Sequence, residues 1–321
     1  MRSTRLVASL ILAATAIGGC ALVTDRRATA RETAAEAAFP PTGQFVTVDG
    51  RRIHAHVEGS GPDLVLIHGA SGNTRDFTFA LVGALKDRYR VIAFDRPGMG
   101  WSDDAGPDGI SPTVQAAILQ SAARELGVTR PVVLGHSYGG AVAMGWGLTA
   151  TPDTAALVIV SGATMPWPGG LGALYEVNRT RLGGAVVIPA ITAFAPPSAV
   201  ESVIASVFAP DPVPEGYAEH FGAELSLRRA TMATNARQVG FLKPHIRRIV
   251  EAYPAMDLPV EIVHGTKDTI VPAKIHAEEL VKVLPDARLT LIEGAAHMPH
   301  HTHMDQVIVA IDRAAARAGL R

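Results

Sequence analysis

Pro131-Val-Val-Leu-Gly-His-Ser137-Tyr-Gly-Gly140 reads as a strand that breaks into a helix at a serine. Val132, Val133 and Leu134 form a short apolar run suited to a strand buried on both faces. Gly135 and Gly139 flank Ser137 in a Gly-x-Ser-x-Gly pattern, and the small residues Gly140, Ala141 and Ala143 follow. A tight strand-to-helix turn holds such a serine in a strained backbone conformation and pushes its hydroxyl outward, with no room for side chains two positions away. The helix starting at Tyr138 would aim free N–H groups and its positive end at the same place. Gly-rich turns are common in α/β proteins, so the pattern gains chemical meaning only from its partners.

A serine hydroxyl becomes a nucleophile when a base takes its proton, and the base needs an orienting acid. Val260-Glu-Ile-Val-His264 reads as a second buried strand, and Asp268 lies in the loop leaving it. Ala287-Arg-Leu-Thr-Leu-Ile292 is a further strand, followed by Glu293-Gly-Ala-Ala-His297. Taken singly, Asp268 could be a turn residue or helix cap, His297 a surface histidine, and Glu293 a solvated turn residue. Together, three loops after three strands present Ser137, Asp268 and His297 in the order nucleophile, acid, histidine. Leu64-Val-Leu-Ile67-His68-Gly69-Ala70 is a strand running into a Gly-rich loop. The amides of Ala70 and Tyr138 are expected to form the oxyanion hole, with His68 bracing the loop.

With His68-Gly69, Asp95-Arg-Pro-Gly-Met-Gly100-Trp-Ser102, Gly135-His-Ser-Tyr-Gly-Gly140, Asp268 and His297 in place, the chain resembles the α/β-hydrolase superfamily over nearly all of residues 44–321. The resemblance implies an esterase- or lipase-like serine hydrolase with a lid, and a structural role for the Asp95–Ser102 loop. A serine at the elbow sets it apart from the branches resembling haloalkane dehalogenases and epoxide hydrolases, which use an aspartate there. The implied fold is α/β: a mostly parallel, doubly wound, eight-stranded sheet with an inserted helical lid.

The chain opens differently. Arg2 and Arg5 precede the apolar run Leu6–Ile17, and small residues follow, which is the pattern of a secretory signal. Ile17-Gly-Gly-Cys20 resembles the lipobox of bacterial lipoproteins, in which Cys20, the one cysteine of the chain, becomes the lipidated first residue. An uncleaved anchor, since Leu6–Val23 is about long enough to span a bilayer, and release by ordinary cleavage are the rival readings. Ala21 after Cys20 resembles outer-membrane lipoproteins. The expected organisation is a signal peptide over 1–19, a tether over 20–43, part of which could be a short helix lying on the domain, the hydrolase core over 44–162 and 257–321, and the lid over 163–256. Localisation in a bacterial cell envelope, membrane-anchored by lipid, follows.

Apolar residues make up 48% of the chain, which suits a large buried sheet, and a net charge of −1 offers nothing to nucleic acid. Strands are expected near 44–48, 52–58, 63–68, 91–95, 132–136, 156–161, 260–264 and 288–292. The first two are joined by the hairpin signal Asp49-Gly50. Helices are expected near 76–87, 111–127, 138–150, 273–284 and 303–318, and in the Pro-rich lid near 170–182, 198–208 and 217–240. Trp167, Leu171, Tyr175 and Phe208 are candidates for an acyl or aromatic pocket, against the simpler reading that they pack the lid onto the core. His297, His300, His301 and His303 cluster without a firm helical pair beside an acid, so no metal is expected.

No cofactor is called for and no protein partner is evident. The expected activity is cleavage of a carboxylic ester through an acyl-enzyme on Ser137. The same triad could serve a carbon–carbon bond hydrolase, a cofactor-free perhydrolase of haloperoxidase type, an amidase or an acyltransferase. A non-catalytic envelope lipoprotein is the reading from another class.

Overall fold

The computed structural model describes residues 2–321, with side chains from residue 18 onward. Side chains of the expected signal peptide up to residue 17 lie outside the described residues.

The chain begins with helix α1, Arg2–Ala38, then enters the sheet through β1 (Gln44–Val48) and β2 (Arg51–Glu58). The turn between them places Asp49 and Gly50 at φ 48° and 76°, the left-handed pair a two-residue hairpin needs. β3 (Asp63–Ile67) leads into α2 (Arg75–Thr78) and α3 (Leu81–Leu85), and β4 (Arg90–Phe94) into α4 (Pro112–Glu125). β5 (Val132–His136) runs into α5 (Tyr138–Thr149), and β6 is Ala156–Val160. The strand order is β1-β2-β4-β3-β5-β6 and then two later strands, with the β1–β2 and β2–β4 pairs antiparallel and every later pair parallel.

Alternate residues of the central strands feed two cores. Val65, Ile67, Val133, Leu157 and Ile159 face a layer with α4 and α5. Leu64, Leu66, Val132, Leu134 and Val158 face Phe77, Leu81 and Leu85 on the other side. Burial on both faces is why these strands read as continuous apolar runs rather than alternating ones. The helix expected over 76–87 is two short helices, broken at Ala80 (φ −147°), with Phe77 and Leu81 both buried in the second core.

After β6 the chain is helical, with no strand among the described residues until β7. It comprises α6 (Ala173–Asn178), α7 (Ile188–Phe194), α8 (Pro197–Phe208), α9 (Tyr217–Phe221), α10 (Ala223–Ser226) and α11 (Arg229–Ile249). The single helix expected over 217–240 is interrupted at Gly222, which takes φ 65° with the Phe39 ring against it; a Cβ there would sit 2.8 Å from that ring. The chain returns through β7 (Val260–Gly265), α12 (Ala277–Val283), β8 (Ala287–Ile292), α13 (Pro299–Thr302) and α14 (Met304–Arg317), the last packing on the second core.

The tether expected over 20–43 is corrected by the structure: the segment stays helical to Ala38 and is docked. Ala28 and Ala35 are buried, small enough to let α1 approach the helical insertion. Arg27 and Arg31 donate to the carbonyls of Ala193 and Ala195, capping the carboxyl end of α7 at 2.7 and 2.8 Å. Arg229 reaches both oxygens of Glu32 and also Asp25, and Arg228 pairs with Glu36. Burial would raise the Glu32 carboxyl, but the Arg229 guanidinium outweighs it and holds it below its usual value.

Arg229→Ala is expected to weaken α1 docking by about 1 kcal/mol, because the network is only partly shielded from water. Tryptic cleavage among Arg26, Arg27 and Arg31 should then quicken about five-fold while the core stays intact, read by the time course of fragments.

Candidate active site

The elbow is built by close backbone contact. Ser137 takes φ 53°, ψ −117°, a conformation that a residue with a side chain adopts only under constraint. A Cβ on Gly135 would sit 2.2 Å from the Gly139 carbonyl oxygen, and one on Gly139 would sit 2.1 Å from that of Ile67. The glycines are thus required by each other and by the end of β3. The Ser137 backbone is fixed in turn: its N–H donates to Val160 O, and its carbonyl accepts from Gly140 and Ala163.

The three side chains expected to act together form one hydrogen-bonded chain. Asp268 Oδ2 can only accept, so His297 carries its proton on Nδ1 and donates across 2.7 Å. His297 Nε2 is then a lone pair, 3.0 Å from Ser137 Oγ. Asp268 also receives the amides of Ile270 and Val271 on Oδ1, and His264 Nε2 on Oδ2 at 3.1 Å. Burial would raise this carboxyl, but hydrogen bonds from His264 and His297 outweigh it and hold it well below the usual range. It is therefore an anion near pH 7. His264, which the sequence reading used only as a strand end, is thus a support for Asp268.

The loop expected to supply Ala70 passes over the serine: a Cβ on Gly69 would lie 3.0 Å from Ser137 Cβ. His68 braces it as expected, its Nδ1–H donating to Gly69 O while Nε2 accepts from the Arg96 amide. The Tyr138 amide opens α5, where no helical carbonyl precedes it to bond. The Tyr138 side chain points into the core instead, and burial pushes its hydroxyl up to about 12. Arg96, wholly buried, stacks 4.3 Å over that ring and donates to His68 O, Gly69 O, Gln115 and Gln238. Asp95 accepts from His54, Thr74 and Trp101. The Asp95–Ser102 loop is therefore structural, as the resemblance implied.

Of the four pocket candidates, Trp167, Leu171 and Tyr175 are partly buried and pack on the first core. Phe208 is 1% exposed and packs on Tyr217 and Met298 beside the His297 loop. Ser137 is 9% exposed, closed in by Gly69 and His297. A cleft of about 430 Å³ opens elsewhere, along the seam between α1 and the core, lined by Glu32, Glu36, Trp101, Asp104 and Arg228.

Part of the histidine cluster does meet an acid, one remote in sequence. His300 and His301 approach Asp76, with the possible ligand atoms of all three within 4.8 Å of one another. Ligand imidazoles almost always pass their other N–H to an acceptor, and neither Nδ1 here has a partner. The set fits hydrogen-bond donors around an anion better than it fits a metal. His303 stands apart, bonded to Thr302.

The chain matches the alpha/beta hydrolase family over residues 64–311 and belongs to it, a family of hydrolytic enzymes. It is 29% identical to an uncharacterised protein of Mycobacterium tuberculosis over 292 residues, which is 85% of this chain and 81% of that one. Among solved structures it is similar to the esterase RhEst1 from Rhodococcus sp. ECU1013, at 26% identity and TM-score 0.64, over 84% of this chain and 97% of that one. It is also similar to an alpha/beta hydrolase fold protein from Burkholderia ambifaria, at 23% identity and TM-score 0.69, over 85% and 97% of the two chains.

Buried neutral histidines make the fold acid-sensitive. Burial lowers His68, His276 and His300 to about 4, and holds His136 well below its usual value. Each has a folded value below its unfolded one, so as pH falls the unfolded chain takes up the proton first. Stability should be full above about 6.5 and decline toward pH 4, at up to about 1.4 kcal/mol per pH unit for each group. Melting temperature followed by circular dichroism across that range checks this; a flat profile would refute it.

Proposed function

We propose that the protein is a serine hydrolase that cleaves a carboxylic ester through an acyl-enzyme on Ser137. The hydrogen-bonded chain Ser137–His297–Asp268, set on a strained elbow, carries this reading. His297 Nε2 takes the hydroxyl proton as Ser137 Oγ attacks the ester carbonyl, and Asp268 holds the resulting imidazolium. The amides of Ala70 and Tyr138 receive the oxyanion. Collapse expels the alcohol with the proton from His297. Water, deprotonated by the same nitrogen, then attacks the acyl carbonyl and frees the acid. No step calls on a cofactor. The likeness to an esterase at 26% identity supports an ester over the other bonds this triad can cut.

Hydrolysis of p-nitrophenyl esters from acetate to palmitate tests this directly. Wild-type protein should turn over one part of the series, and Ser137→Ala should lose about 10⁵-fold in kcat/KM. A folded wild-type enzyme inert to the whole series would refute the ester reading.

The same proposal places the protein at an envelope membrane, lipidated at Cys20. Its support is the basic, apolar, small pattern ahead of Cys20 and the exposure of that cysteine on α1. Among the described side chains, the ion pairs and hydrogen bonds that dock α1 lie at Asp25 and beyond, so cleavage before Cys20 would leave these intact. Metabolic labelling with an alkyne fatty acid should mark the wild type, and Cys20→Ala should lose the label and leave the membrane fraction. An unlabelled wild type that stays with the membrane would show instead that the N-terminal helix itself is the anchor.

A further inference from the structure

Asp76, on α2, is a buried carboxylate that the reaction as described does not use. Its Oδ1 accepts from the Tyr217 hydroxyl of the insertion and from His301 Nε2–H, both at 2.8 Å. Its Oδ2 accepts from His300 Nε2–H at 3.3 Å and lies 4.0 Å from His136 Nδ1. His136 Nε2 faces the carbonyl oxygen of His297 at 3.0 Å. A carbonyl only accepts, so that nitrogen holds the ring proton and Nδ1 is a bare lone pair, without a partner. The rings of His297, His136, His300 and His301 follow one another with centroids 5.0, 4.3 and 4.1 Å apart.

The charge in this cluster is not cancelled by its two deepest histidines. Burial, with the neighbouring histidines, keeps His136 and His300 neutral near pH 7. Burial would also raise Asp76, but the hydrogen bonds from His300 and His301 outweigh it and hold the carboxyl well below its usual range. A buried anion therefore stands 4.0 Å from His136, whose ring centroid lies 5.0 Å from that of His297.

We propose that Asp76 is a positioning residue for His297. It fixes α13, which starts two residues after His297, through His300 and His301, and ties the insertion to the same point through Tyr217. Its charge also favours the imidazolium that forms when the Ser137 proton arrives, an inference that rests on the serine-hydrolase reading. The other groups facing His297 are Asp268 and Ser137 in direct contact, His136 and His300 on one side, and His264 and His276 beyond Asp268. Asp211 of the insertion holds the preceding residue, accepting from the Ala296 amide at 3.0 Å.

The test is the rate of Ser137 labelling by a fluorophosphonate as a function of pH, which needs no knowledge of the natural substrate. Asp76→Asn removes the anion with little change of shape. The anion favours the protonated ring, so without it the acidic limb should move to lower pH by about half a unit and the plateau rate should fall about ten-fold. Tyr217→Phe removes a donor but no charge, and should leave the limb in place. A limb unmoved in folded Asp76→Asn, or moved equally in both variants, would overturn the proposal.

If Asp76→Asn does not fold, imidazole ¹⁵N NMR of the wild type decides. His136, His300 and His301 should each carry their proton on Nε2 at pH 7, and a proton on Nδ1 of any of them overturns the assignment. Wild-type protein that never labels would count against the serine-hydrolase reading, and the NMR tautomers would still judge Asp76.

Discussion

The site depends on one close approach: the backbone of the Ser137 turn lies against the end of β3 with no room for a Cβ. Gly139 meets the Ile67 carbonyl, Gly135 meets Gly139, and Gly69 lies over the serine itself. This contact forces Ser137 into φ 53°, and the strain is offset by three backbone hydrogen bonds to its peptide groups. It also sets the distance between the Gly69 loop and the start of α5, the two places whose amides the proposed mechanism uses. Arg96 then clamps both loops from beneath, bonding His68 and Gly69 while stacking on Tyr138. The electrostatics of the site thus follow from packing at the top of two neighbouring strands.

Most of this was legible in the sequence because each part has a local signature. Buried parallel strands announce themselves as apolar runs, and Gly-x-Ser-x-Gly names a turn that little else explains. Asp268 and His297 were found by their place after strands, and the structure brings both to Ser137. What stayed hidden was contact between distant residues. Asp76 reads as one acid in Thr-Arg-Asp-Phe, and nothing local shows that His300 and His301, more than 220 positions on, will bury against it. His136 reads as a spacer in the elbow, yet it carries the His297 carbonyl. The one signal available was the His300-His301 pair so soon after His297.

The insertion was the least legible region, because its helices are short and their ends are set by tertiary packing. Gly222 breaks a helix where Phe39, from the far end of α1, needs the space. A segment rich in Ala, Arg and Glu read as a tether, since it lacks a continuous apolar face. Its docking relies instead on two buried alanines and on ion pairs with Arg228 and Arg229, which composition alone does not single out.

That docking gives α1 a mechanical meaning. From Cys20 to Ala38 the helix is a rod about 28 Å long, and its side chains grip the end of α7 and the start of α11. In a chain held at a surface by its N-terminus, such a rod sets the height and tilt of the catalytic domain above that surface, where a loose tether would let it tumble. The same rod grips α7 and α11, which belong to the helical insertion between β6 and β7. A pull or a tilt at the surface would therefore be felt first by the inserted helices, before the sheet that carries Ser137.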